Sequence, residues 1–198
     1  MDYLLDDIIA PTGRVNTLKL TNFINKVDRQ AFALQARHPF LVARKLYEGT
    51  LSQQKQTSNT MIFNINDIKE YEKSKMMGKT FNTDSAPTQD DSSINLAIFA
   101  LRKQGFSKKP ANFFTVGRVQ PNDLIIADYT ISKQHASLIT DHGNYFLKDE
   151  GSTNGTHVAS NKLGTENALQ ILPYDVITFG RIGYIFVPPQ DLYDALRT

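Results

Sequence analysis

A series of short runs of β-branched and aromatic residues, separated by turn sequences, is the feature that most restricts the fold of this chain. Turn signals such as Asn122-Asp123 and Asn154-Gly155 stand between the runs. Short strands at this spacing predict a mainly β fold, an antiparallel sandwich, rather than alternating strands and helices. The runs lie at residues 94–101, 112–116, 124–126, 136–140, 145–148, 156–158, 176–179 and 184–187.

A helical pattern precedes these strands. Apolar residues from Leu20 to Leu34 follow the three- and four-residue intervals of one helix face, and Asn16 or Thr17 is available as the N-cap. The pattern ends before Pro39, because proline disfavours helical backbone in the preceding residue. We expect the apolar segment 38–42 to pack within the protein.

The next part of the chain changes in composition. A short strand is predicted at 61–65 and a second helix at 66–78, whereas residues 79–93 are polar and nearly free of large apolar side chains. Such a segment buries too little surface to offset its ordering entropy and predicts a flexible linker. The predicted organisation is an α-rich N-terminal module of unknown role at 1–78, a linker at 79–93, the sandwich at 94–187 and a C-terminal tail at 188–198.

Composition excludes several classes of protein. The chain has no cysteine, so disulfides, thiolate metal sites and a cysteine nucleophile are excluded. A formal charge of +2 is too small to predict a nucleic-acid footprint. The N-terminus lacks the pattern of a signal peptide. The sequence contains no run of about 18 apolar residues, so no membrane insertion is predicted. We therefore expect a cytoplasmic protein.

Three loops of the predicted sandwich are rich in hydrogen-bond donors. Arg118 ends one strand, Ser132 and Lys133 lie between two others, and Thr153 and Asn154 lie in a glycine-bounded turn. A phosphate dianion offers three acceptor oxygens, which guanidinium, ammonium and hydroxyl groups can share. Donors without an acid–base pair favour anion binding over catalysis. The carboxamide of Asn154 has both a donor and an acceptor, so it can contact a peptide main chain. The loops predict a site for a phosphorylated peptide.

The order and spacing of these motifs resemble the forkhead-associated (FHA) domain over residues 94–187. The motifs are Gly117-Arg118, Asn122-Asp123, Ser132-Lys133-x-His135-Ala136, Asp149-x-x-Ser152-Thr153-Asn154-Gly155-Thr156, Leu172-x-x-Asp175-x-Ile177-x-Phe179-Gly180 and a closing Phe186.

The resemblance implies roles for individual residues. Arg118 and Ser132 would contact the phosphate of a phosphothreonine, Asn154 would hydrogen-bond the ligand main chain, and Thr153 would lie beside the pocket. Lys133 stands where many members have arginine, and keeps the charge without the bidentate fork. The residues that would support the shape of the site are Gly117, His135 and Gly155.

The implied function is that of a non-catalytic phosphothreonine-binding adaptor, with no metal or cofactor. Its partner would be a threonine-phosphorylated protein or a Ser/Thr kinase. A hydrolase triad of Ser132, His135 and Asp149 is disfavoured, because the serine lacks a Gly-x-Ser-x-Gly elbow. A structural or assembly protein with phosphate-independent contacts is the alternative.

The linker suggests a ligand within the chain. Thr88 is followed three residues later by Asp91, a position that FHA modules often recognise. If phosphorylated, Thr88 would occupy the site of its own chain or of a second copy.

Overall fold

Two β-sheets packed against each other form the main body of the protein, in a computed structural model that describes residues 4–46 and 97–197. One sheet has six strands in the order β2-β1-β11-β10-β7-β8, and the other has five in the order β4-β3-β5-β6-β9. The strands are β1 (Phe40–Ala43), β2 (Ile98–Ala100), β3 (Phe113–Gly117), β4 (Leu124–Ile125), β5 (Ala136–Asp141), β6 (Asn144–Asp149), β7 (Thr156–Val158), β8 (Asn161–Lys162), β9 (Leu169–Ile171), β10 (Val176–Phe179) and β11 (Ile182–Val187).

The predicted mainly β sandwich with helices before it is confirmed. Each of the predicted runs corresponds to an observed strand, and all pairings between named strands are antiparallel except the parallel pair β3–β4. The sequence did not predict β1, β8 and β9. The strand expected at 61–65, the helix at 66–78 and the linker at 79–93 fall outside the described residues.

The N-terminal segment contributes a strand to the interior of the six-stranded sheet. Leu41 of β1 pairs with Phe186 of β11 on one side and with Phe99 of β2 on the other. All four residues of β1 are buried, which explains why the run is apolar throughout instead of alternating. The segment 38–42 therefore packs within the protein, and the described part of the predicted N-terminal module shares one core with the sandwich.

The single helix expected from Leu20 to Leu34 is two helices, α1 (Thr17–Ile24) and α2 (Arg29–Ala36). Asn16 caps α1 as predicted, since its side chain accepts from Lys19 N–H. Asp28 caps α2 by accepting the Ala31 N–H at 2.8 Å. Because α2 begins anew after Asp28 and does not continue α1, its apolar face differs from the one predicted for a single helix. Leu34 is accordingly 70% exposed.

The segment predicted as a C-terminal tail instead forms α3 (Pro189–Leu196), which packs against α2. Leu192 and Tyr193 are buried, and the Tyr193 ring lies 5.8 Å from that of Phe32. Arg29 forms an ion pair with Asp194 at 2.8 Å on the exposed side of this contact. Apolar residues on one face of 188–198 make it a docked helix.

Three loops meet at one end of the sandwich. The first follows β3, the second precedes β5, and the third crosses from β6 in the five-stranded sheet to β7 in the six-stranded sheet. His135 N–H donates to the Val116 carbonyl, and Glu150 N–H donates to the His135 carbonyl, each at 2.9 Å. Within the described ranges, no helix is long and apolar enough to cross a membrane.

Tyr184→Phe is expected to stabilise the protein. The Tyr184 ring is fully buried beside Phe99 and Phe179, and its hydroxyl has no hydrogen-bond partner among the described residues. A buried unpaired hydroxyl costs about 1–3 kcal/mol, so the substitution should raise the free energy of unfolding by about 1 kcal/mol or more. Urea denaturation measures this change.

Tyr145→Phe is the matched control, because the Tyr145 hydroxyl is hydrogen-bonded to His38 Nδ1 at 3.1 Å. Loss of this hydrogen bond should lower the free energy of unfolding. A lower free energy of unfolding for Tyr184→Phe would contradict the prediction.

Candidate functional site

Asp149, buried at the end of β6, organises the loop that follows it. Its Oδ1 accepts the N–H groups of Gly151 and Ser152 at 2.9 and 2.8 Å. Its Oδ2 accepts the hydroxyls of Ser152 and Thr156, both at 2.6 Å. Burial alone would raise the pKa of Asp149, but these hydrogen bonds outweigh it and lower the pKa, which keeps the carboxylate ionised.

The same loop turns at Gly155. Its N–H donates to Ser152 Oγ at 3.0 Å, and its φ of +84° lies in the left-handed region, where a side chain is disfavoured. The turn leaves Thr153 and Asn154 exposed at the tip. Gly155 therefore supports the loop as the sequence suggested.

His135 joins the second loop to the third. The ring is completely buried, its Nδ1 accepts the Ser132 N–H at 3.0 Å, and its Nε2 donates to the Gly155 carbonyl at 3.2 Å. Because Nδ1 is an acceptor, the ring is the neutral Nε2–H tautomer. Burial lowers the pKa of His135, against smaller opposing effects of the Gly155 carbonyl and the Asp149 carboxylate.

Gly117 allows the first and second loops to approach closely. A Cβ on residue 117 would lie 2.2 Å from the Lys133 carbonyl oxygen and 2.4 Å from Asn122 Nδ2. Asn122 Nδ2 fills this contact by donating to the Lys133 carbonyl at 2.6 Å. Any larger residue at 117 would push these loops apart.

Asp128 fixes the start of the second loop. Its Oδ2 accepts from Nε and a terminal nitrogen of Arg181 at 3.1 and 2.7 Å, and its Oδ1 accepts the Thr130 N–H at 2.8 Å. Burial would raise the pKa of Asp128, but the bonds from Arg181 and Thr130 outweigh it and lower the pKa. Asn154 Nδ2 donates to the Thr130 carbonyl at 2.7 Å, which ties the third loop to the second.

A surface cavity of about 420 Å³ opens where the three loops meet. Ser132 Oγ accepts the Thr153 N–H at 3.0 Å, and Arg118 N–H donates to the Ser132 carbonyl at 3.0 Å. The residues that line the cavity are Arg118, Tyr129, Thr130, Ile131, Ser132, Lys133, Gln134, Thr153 and Asn154.

The cavity has a positive rim. Arg118 is half-buried and Lys133 is exposed, and neither side chain has an acidic partner among the described residues. Of the residues that the structure describes, no Asp or Glu lines the cavity. Two cations, hydroxyls and a carboxamide around one opening form an arrangement that can bind an anion.

All residues predicted to contact a ligand line this one cavity, and Gly117, His135 and Gly155 lie behind it. Sequence reasoning missed Asp128 and Arg181 as supports, and Tyr129, Thr130, Ile131 and Gln134 as lining residues. Asp128-x-Thr130 is a sequence typical of an Asx turn and is a local signal for that support. The described residues include no group of His, Asp and Glu that could hold a metal ion.

Part of the sandwich is similar to known proteins. Residues 114–180 match the FHA domain family. The chain is 39% identical over 80 residues to an FHA domain-containing protein of Arabidopsis thaliana, covering 40% of this chain and 21% of that protein. It is 31% identical over 77 residues to an ABC transporter ATP-binding/permease protein of Mycobacterium tuberculosis, covering 39% of this chain and 9% of that protein. The chain thus spans a minor part of both relatives.

Two solved structures are also similar. The FHA domain of a hypothetical protein of Arabidopsis thaliana is 28% identical with a TM-score of 0.37, and the match covers 56% of this chain and 95% of that one. EmbR of Mycobacterium tuberculosis, solved in complex with a low affinity phosphopeptide, is 26% identical with a TM-score of 0.37, over 39% of this chain and 20% of that one.

Acidification is expected to destabilise the folded protein through His135. An unfolded histidine has a pKa of about 6.5, and burial lowers the pKa of His135 in the fold. The unfolded chain therefore binds its proton first, so stability is complete above about pH 6.5 and falls as the pH decreases below it. Burial, with Arg37, also lowers the pKa of His38, which acts in the same direction.

NMR titration of the His135 ring and urea denaturation between about pH 8 and about pH 5 measure this effect. A His135 ring that titrates above pH 6.5 would contradict the predicted lowering of its pKa.

Proposed function

We propose that this chain, whose residues 114–180 are an FHA domain, binds threonine-phosphorylated proteins through the cavity at Arg118 and Ser132. The observation that carries the proposal is the pair of cations beside the Ser132 hydroxyl, Arg118 and Lys133, which have no acidic partner in the described part of the chain. The proposed role is a non-catalytic cytoplasmic adaptor. Its partner is a substrate of a Ser/Thr kinase or the kinase itself.

Arg118 and Lys133 would contribute unequally to phosphate binding. A phosphate carries about −1.5 to −2 charges at pH 7, and a guanidinium can meet two of its oxygens in one plane. Lys133 is exposed and offers a single ammonium group, so solvent screens its attraction more strongly. We therefore assign the larger share of the binding energy to Arg118.

Ser132 and Thr153 would complete the phosphate site without large rearrangement. Ser132 Oγ already accepts the Thr153 N–H, while its own hydrogen makes only a long contact of 3.4 Å with Thr153 Oγ1. That hydrogen can turn toward a phosphate oxygen at little cost. The loop backbone is held in advance by His135, which reduces the entropy lost on binding.

Asn154 would contact the peptide main chain. One hydrogen of its amide nitrogen is used on the Thr130 carbonyl, and a primary amide has a second N–H and an oxygen. These two groups match the carbonyl and N–H of an extended peptide. Threonine would be preferred to serine through its methyl group, whose burial contributes about 0.8 kcal/mol.

Arg118→Ala is expected to weaken binding of a phosphothreonine peptide by about tenfold to a hundredfold, because a charge-assisted hydrogen bond contributes about 1.5–3 kcal/mol. An oriented phosphopeptide library first selects the best single peptide. Isothermal titration with that peptide then measures the loss of affinity. Arg29→Ala is the matched control, since Arg29 is an exposed arginine on α2 paired with Asp194 outside the cavity. The control should bind as the wild type does.

Equal binding by Arg118→Ala and the wild type would refute the site. Partner capture from a lysate before and after phosphatase treatment tests the function in a second way. Capture that survives the phosphatase would support the alternative, a structural protein with phosphate-independent contacts.

Phosphorylation of Thr88, which lies outside the described residues, is expected to weaken binding of an external phosphopeptide at least tenfold. A ligand within the chain has an effective concentration of the order of millimolar. Thr83 is the matched control, because residue 86, three positions after it, is alanine instead of the aspartate that follows Thr88. Anisotropy with chains phosphorylated at either position compares them, and unchanged affinity after Thr88 phosphorylation would exclude self-binding.

A further inference from the structure

Two neighbouring loops carry exposed apolar side chains beside the candidate site. One loop turns at Phe106, where the Ser107 N–H donates to the Gln104 carbonyl at 3.0 Å. The other loop follows β3 and contains Val119 and Pro121. Phe106 and Val119 are each 39% exposed, and Pro121 is exposed as well. Phe106, Val119 and Pro121 line one cavity of about 500 Å³, so they belong to one surface.

The same cavity has a positive rim. Lys108, Lys109 and Lys133 line it, and all three are exposed. Lys133 and Gln134 also line the cavity of the candidate site, so the positive surface continues to Arg118. Over residues 4–46 and 97–197, no Asp or Glu lines either cavity. Cations without acidic neighbours favour an anionic partner at this place.

The turn that carries Phe106 is held in place before any ligand binds. Asp123 is completely buried and accepts the Gln104 N–H at 3.0 Å and the Ser107 hydroxyl at 3.3 Å. Lys103 Nζ lies 3.0 Å from this carboxylate and compensates its charge. The turn therefore keeps Phe106 at the surface without exposing a negative charge that would oppose an anionic partner.

An anionic membrane surface offers what this arrangement requires. Exposed apolar side chains gain free energy when they enter an apolar medium, and the boundary between headgroups and acyl chains is such a medium within a few ångströms of the phosphates. Basic side chains beside them are attracted to anionic headgroups. Long lysine side chains can keep their amines at the level of the headgroups while their methylene groups lie deeper.

We infer that this surface binds membranes that contain anionic phospholipid. Phe106 and Val119 would enter the headgroup boundary, and the amines of Lys108, Lys109 and Lys133 would lie among the phosphates. Each basic residue near an anionic surface strengthens binding about fivefold, so the attachment is peripheral and reversible and involves no transmembrane segment. The inference is independent of the proposed function.

The test is co-sedimentation of the full chain with vesicles of phosphatidylcholine alone, or of phosphatidylcholine with about 30% phosphatidylserine. The wild type should sediment only with the anionic vesicles. Added salt should release it, because the Debye length falls from about 10 Å at about 0.1 M to about 3 Å at about 1 M. The double variant Lys108→Gln/Lys109→Gln should weaken vesicle binding about twentyfold, and Phe106→Ser about threefold to tenfold.

Matched controls alter exposed residues that line neither cavity. Lys19→Gln/Lys45→Gln removes two exposed lysines, and Leu34→Ser removes an exposed apolar side chain on α2. Both controls should bind anionic vesicles as the wild type does. Urea denaturation should give the wild-type free energy of unfolding for every variant, since each changes an exposed side chain.

Sedimentation that needs no phosphatidylserine, or that survives both surface variants, would overturn the inference. Soluble glycerophosphoserine separates a membrane from a free phosphate ester as the ligand. It should leave the protein on the vesicles, and release by it would contradict the inference, because the cavity would then take the headgroup alone. Loss of phosphothreonine-peptide binding in both surface variants, with no sedimentation of the wild type, would assign the surface to the peptide instead.

Discussion

The geometry of the binding loops depends on one buried imidazole. His135 accepts a backbone N–H from the second loop and donates to a backbone carbonyl of the third, so a single planar ring fixes the distance between them. No other neutral side chain offers a donor and an acceptor in opposite directions on a rigid ring of this size. Because the ring is neutral, it joins the two loops without adding a charge behind the proposed phosphate site. The positive potential stays at the rim, on Arg118 and Lys133.

Buried carboxylates fix the conformations of the loops, as hydrogen bonds between strands fix the sheets. Asp149, Asp123 and Asp128 each accept several N–H or O–H groups, many of them from loop residues. An ionised carboxylate is costly to bury unless its lone pairs are filled, and filled sites of this kind give strong, short hydrogen bonds. Each carboxylate therefore specifies one loop conformation. The cost of burying three acids is offset locally by hydroxyls, backbone N–H groups and the cations of Lys103 and Arg181.

Eight of the ten strands described after residue 97 were predictable because they combine β-branched or aromatic residues with turn sequences at their ends, whereas β8 and β9 were missed. The grouping of the candidate site residues around one cavity was predictable because these residues stand in short motifs with fixed spacing. The sequence could not show β1, since an all-apolar run of four residues has no period and fits a buried helix as well as a buried strand. The break at Asp28 was missed because apolar residues continue the helical spacing across it. Arg181 lies 53 residues from Asp128, and no local pattern predicts a contact at that separation.

The pairing of β1 with β2 also decides how residues 44–96 are attached. The chain leaves the sheet at Ala43 and returns at Ala97, where the Ala43 N–H donates to the Ala97 carbonyl at 2.9 Å. In topological terms the segment is an insertion between two neighbouring strands of one sheet, with both ends anchored side by side. The entropy of closing such a loop grows only with the logarithm of its length. Lengthening or shortening the chain between these two anchored ends therefore costs little in loop-closure entropy and leaves the register of β1 against β2 unchanged.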